Sequence, residues 1–162
     1  MGTAVLAAAF ALGTLGAADV SAPPGAKPTR DFSQAKVGRH FVFHEITLNY
    51  KGDGSIFDQS CRSVDKEVIS KSKSQLKLKV RAASAKKPKT ETVPLKAPDK
   101  KRKGEKVVGQ ETLEVAEQRF ECEVVEWHEK NITYKEWRSF SFPFTVKKTC
   151  NDVVVSELTD IH

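Results

Sequence analysis

Between Phe120 and Phe142 the chain alternates so regularly that its pairing can be written out residue by residue. Phe120, Cys122 and Val124 fall on one side of an extended strand, and Glu121, Glu123 and Val125 on the other. A two-residue turn at Lys130-Asn131 then sets Trp127 opposite Tyr134, Glu126 opposite Lys135, Val124 opposite Trp137 and Glu123 opposite Arg138. Aromatic and opposite-charge pairs of this kind contribute roughly 0.2–1 kcal/mol each. A slip of one residue would turn Phe120 and Cys122 towards the wrong side of the partner strand, so the register is specified from within the segment.

The rest of the chain carries the same signal. Val37–Tyr50 alternates and stops at the turn sequence Lys51-Gly52-Asp53-Gly54. Val64–Ser70, Gln75–Val80, Lys106–Val108, Thr112–Val115, Phe144–Lys148 and Val153–Leu158 read as further strands, and no stretch of helical length keeps a 3.6-residue period. The expected fold is mainly β: a curved antiparallel sheet or half-barrel of about seven or eight strands. With 39% hydrophobic residues, the 162-residue chain can build one core, which excludes a disordered chain.

Charge is unevenly placed. Of the net +6, residues 1–70 contribute nothing, 71–106 carry 14 basic and 3 acidic groups, and 107–162 carry 6 basic and 11 acidic groups. Within the basic part, residues 82–106 contain Pro88, Pro94 and Pro98 and no aromatic side chain, so they read as a long loop inserted into the sheet domain. Lys86, Lys87, Lys89, Lys100, Lys101, Arg102 and Lys103 are its candidate anion contacts, suited to an anionic envelope polymer or lipid headgroups; a solvated loop without a partner is the plainer reading. Nucleic acid is not an expected partner: the aromatics that stack on single strands are missing from residues 71–106, and export argues against chromosomal DNA.

Residues 1–18 have the form of an export signal. An apolar run, Ala4–Leu12, is followed by small residues that allow cleavage after Ala18. It falls short of the ~20 apolar residues of a membrane span, so no stable transmembrane anchor is expected. Residues 19–36, with Pro23-Pro24-Gly25, read as a flexible tether to a single β domain at 37–162. Export to a periplasmic or secreted location favours disulfides. Cys122 sits at a buried strand position, whereas Cys61 and Cys150 lie in turn-like contexts, which makes Cys61–Cys150 the expected pair.

Gly109-Gln110-Glu111-Thr112-Leu113-Glu114-Val115, Phe120-Glu121-Cys122, Trp137, Pro143, Val146-Lys147 and Glu157-Leu158 form a further pattern. It resembles the C-terminal meander of secreted bacterial proteins similar in architecture to the lipoprotein-localisation (LolA/LolB-like) half-barrels. The resemblance covers about a third of the chain, and the basic insertion and missing helical lid depart from it. It implies a non-enzymatic domain that holds a lipid or other apolar group, or assists envelope assembly with a lipid or lipoprotein partner. The aromatic supply of Phe41, Phe43, Phe120 and Trp137 is suited to lining such a site.

Catalytic signatures are sparse. No glycine-rich phosphate loop or nucleophile elbow occurs. His40 and His44 would lie ~13 Å apart on a strand, too far for one ion ligated at about 2 Å. The sequence thus names no catalytic residue, metal or cofactor, and Asn131-Ile132-Thr133, a glycosylation sequon in form, reads as a hairpin turn.

Overall fold

The computed structural model describes residues 29–33, 35–53, 55–98, 102–115 and 117–162. The expected signal at 1–18 and the first part of the tether lie outside the described residues. Eleven strands are formed: β1 (Thr29–Asp31), β2 (His40–Tyr50), β3 (Ile56–Lys71), β4 (Gln75–Ala82), β5 (Lys89–Pro94), β6 (Lys96–Pro98), β7 (Lys106–Val115), β8 (Gln118–Glu129), β9 (Ile132–Ser139), β10 (Thr145–Cys150) and β11 (Val153–Ile161). Nine of them make one open antiparallel sheet in the order β5-β4-β3-β2-β11-β10-β9-β8-β7, and β1 pairs with β6. Among the described residues there is no helix, and hence none long and apolar enough to cross a membrane.

The order has a simple logic. Strands β2 to β5 form one meander and β7 to β11 another, each strand pairing with its neighbour in sequence. The two are joined where β11 lies against β2, with Leu158 opposite Phe43 and Ile161 opposite Phe41. The result is one open up-and-down sheet with β5 and β7 as its outer strands; β5 lies within the basic segment and β7 begins at its end. Single-residue irregularities in β7, β10 and β11 add local twist to the curving sheet.

The β8–β9 register is the one written from sequence: Trp127 faces Tyr134, Glu126 faces Lys135, Val124 faces Trp137 and Glu123 faces Arg138. Lys130, at the turn, adopts φ 55°. The alternation of β4 also holds, with Leu76 and Leu78 fully buried and the intervening lysine exposed. Val64, Val68, Val146 and Leu158 complete this apolar centre, onto which the phenylalanines pack.

Three expectations are corrected. Residues 82–106 are not one loop, because Lys89–Pro94 pairs with β4 as an edge strand, Val93 opposite Leu76. Its lysines and threonines stay exposed while its backbone completes the ladder, which a reading by side-chain alternation misses. The tether is likewise structured at its end: Thr29 faces Pro98, Asp31 faces Lys96, and Phe32 is buried. Finally, Cys61 and Cys150 are not joined, since all three cysteines are free. Cys61 is exposed on β3, whereas Cys150 is buried at the end of β10 with its Sγ 2.8 Å from the Tyr50 hydroxyl.

Candidate functional site

The aromatic residues gather inside the curve of the sheet. Phe144, just before β10, packs against Phe32, Phe41 and Phe43 at ring-centroid distances of 5.0, 5.1 and 5.7 Å, and Phe142 bridges Phe41 to Phe120 at 5.5 and 5.2 Å. Tilted and edge-on contacts of this kind suit the ring quadrupoles. Beside the cluster lies a cleft of about 310 Å³ whose apolar wall is Phe32, Phe43, Leu78, Val93, Pro94, Pro143 and Phe144. Glu45, Lys66 and Glu91 also border it, and the Lys66 ammonium stands 5.0 Å from the centre of the Phe43 ring and 5.1 Å from that of Phe144. A second pocket, of about 180 Å³, is lined by Phe41, Phe142 and Ile161 with Arg39 and Lys36, and it touches the first at Pro143.

Each expected lining residue has a definite place. Phe43 lines the larger cleft and Phe41 the smaller pocket. Phe120 is spent in the core against Phe142. Trp137 is also buried, outside both pockets, where its Nε1 donates to a Glu111 carboxylate oxygen at 2.7 Å. Phe32, Phe144 and Lys66 were not expected at the site. Phe144 belongs to the alternating run that leads into β10, which was a usable signal; Phe32 lay in what reads as tether and had none.

The basic candidates divide. Lys86, Lys87, Lys89 and Lys103 are exposed, and Lys100 and Lys101 lie outside the described residues. Arg102 is not an open anion contact. Its guanidinium sits 3.9 Å from the Trp127 ring centre and donates two hydrogen bonds, each 2.9 Å, to the Glu136 carboxylate. The carboxylate it holds belongs to its own chain, which a charge count cannot foresee.

Arg102 is one corner of a larger ionic cluster. Arg138 donates to both Glu105 oxygens at 2.9 and 2.8 Å and to Glu136 at 3.1 and 3.2 Å. Burial alone would push the Glu136 and Glu105 carboxyls up; hydrogen bonds and charge from Arg102 and Arg138 outweigh it and hold both below the usual carboxylate range. Residues 102–105 are thereby fastened across the side of the β8–β9 hairpin that carries Trp127 and Tyr134, which stack at 5.1 Å.

Burial, helped by Glu111, pushes the Cys122 thiol up to about 12, so it stays protonated. His40 holds Asp65 through Nδ1 at 2.9 Å and stacks on His162, while His44 is exposed. Among the described residues no three His, Cys, Asp or Glu side chains are grouped to hold a metal ion. The chain matches no family model, no curated protein and no solved structure.

Proposed function

We propose that the chain is an exported, non-enzymatic β domain that takes the apolar part of a small amphiphile, a single acyl chain or a lipid of similar girth, into the cleft between Phe43, Phe144 and β5. The observation that carries this reading is the lining: seven apolar side chains, Pro143 among them, and three charged ones, Glu45, Lys66 and Glu91, on the border. Pockets that bind small ligands combine these features, and about 310 Å³ is at the small end of their range. Export rests on residues 1–18, and fusion of that segment to alkaline phosphatase tests it; a reporter retained in the cytoplasm overturns it.

Binding is tested with the purified chain, an environment-sensitive naphthylamine probe and decanoate as competitor. The probe should bind saturably and be displaced by decanoate. Val93→Phe, which adds bulk to the half-buried wall of the cleft, should abolish binding and leave the circular dichroism unchanged. Failure of the wild-type chain to bind the probe, before and after delipidation, overturns the proposal.

A further inference from the structure

Among the described residues, the first part of β3 has an open side. The last residue of β4 in the ladder, Ala82, lies opposite Val64, and one further backbone bond joins the Ala83 N–H to the Ser63 carbonyl at 2.9 Å. Before that point, among the described residues, Ile56–Arg62 pairs with β2 alone. The two strands thus project as a ribbon beyond β4. Every side chain from Ile56 to Ser63 is exposed, Phe57 by 59% and Ile56 by 43%.

Such an edge is a template for another strand. The two outer strands of the sheet carry the usual deterrents. β5 is short, bears Lys89 and ends at Pro94, and β7 is interrupted after Val107 and carries Glu111 and Glu114. Ile56–Arg62 has no proline, and its two charges, Asp58 and Arg62, cancel.

Those two charges also select a partner. When a strand pairs antiparallel with its own copy about a two-fold axis, one residue must face itself. With Ser60 on the axis, Asp58 faces Arg62 of the second copy, and Arg62 faces Asp58, so one interface holds two opposite-charge pairs. With Gln59 on the axis, Asp58 faces Ser60 and the ladder must run through Phe57, which is unmatched even in the β2 register. With Cys61 on the axis, Asp58 is set against Val64, a position already occupied by β4. Contacts to β2 set both side chains along the ribbon: Asn49 donates to Asp58 at 3.2 Å, and Arg62 donates to Glu45 at 3.0 and 2.7 Å, an ion pair that Asp58 of the second copy would join.

We infer that a second copy of this chain docks on the open edge of β3, antiparallel over Asp58–Arg62, and joins two sheets into one. Sedimentation velocity on the purified chain should show a concentration-dependent dimer. Asp58→Arg and Arg62→Asp should each weaken it by about tenfold or more, because each sets like charges face to face. An equimolar mixture of the two variants should dimerise again, since both facing pairs are then opposite in sign. Cys61 gives a readout without substitution. In this register the two Cys61 residues are diagonal neighbours about 7–8 Å apart, within reach of a short bismaleimide. A wild-type chain that stays monomeric, variants that dimerise like wild type, folded variants whose mixture stays monomeric, or a dimer that the reagent does not link would each overturn the inference.

Discussion

Arg138 and Glu105, 33 residues apart in sequence, meet end on, the two guanidinium Nη atoms donating to the two carboxylate oxygens at 2.9 and 2.8 Å. Both side chains are almost wholly removed from solvent, at 7% and 6% exposure. The pair ties the end of the basic segment to the last residues of β9, and Glu136 and Arg102 extend it. Removing one member leaves the others charged and buried. Glu136→Gln is therefore expected to cost about 3–5 kcal/mol, the cost of breaking a buried pair. Urea unfolding measures it, and a loss below about 1 kcal/mol, typical of a surface pair, would contradict the prediction.

The same cluster sets an acid limit. Glu105 and Glu136 titrate below their ordinary value of 4.5 in the folded chain. Their stabilising contribution is complete above the unfolded value and is lost as pH falls through the folded values. Urea midpoints should therefore drop as pH falls below 4.5. The drop should be shallower in Glu136→Gln, whose side chain does not titrate.

Thiol reactivity should separate the cysteines. In the native chain a maleimide is expected to label Cys61 and leave the buried Cys122 and Cys150 unmodified; in denaturant all three should react. Rapid native labelling of all three, or of none, contradicts these positions. Because the folded Cys122 thiol titrates near 12 rather than 9.0, its contribution is complete below pH 9 and is lost as pH rises towards 12. Cys122→Ala should remove that part of the alkaline loss.

Trp127 is 2% exposed, stacks on Tyr134 and lies under the Arg102 guanidinium. Trp127→Ala is expected to cost about 3–5 kcal/mol. Trp127→Phe should cost clearly less, since a ring remains for both contacts. Equal losses in the two variants would mean that the indole hydrogen bond to Glu129, rather than the stack, carries the stability.

What the sequence made legible, and what it did not, follows from the kind of force involved. The β8–β9 register was readable because both strands, the turn and the matched side chains lie within one local segment. β5 and the outer part of β3 were not, because their side chains are exposed and the pairing is carried by backbone groups every residue possesses. Alternation put Phe41 and Phe43 on one face, and both are buried in the core at the edge of a pocket; Phe120 and Trp137, equally apolar in pattern, are buried in the same core away from both pockets. Arg102 counted as one positive charge among many until folding brought Glu136 to it.

The pairing of β11 with β2 has a consequence for how the chain is made. Each meander can form from neighbouring hairpins as it emerges, but Phe41 and Phe43 receive Ile161 and Leu158 only when Val153–Ile161 has been synthesised. Until then β2 presents a bare edge beside a half-assembled aromatic cluster. Val153–Ile161 is therefore the clasp: it turns two separate meanders into one sheet, and the chain is most exposed to wrong partners just before that strand docks.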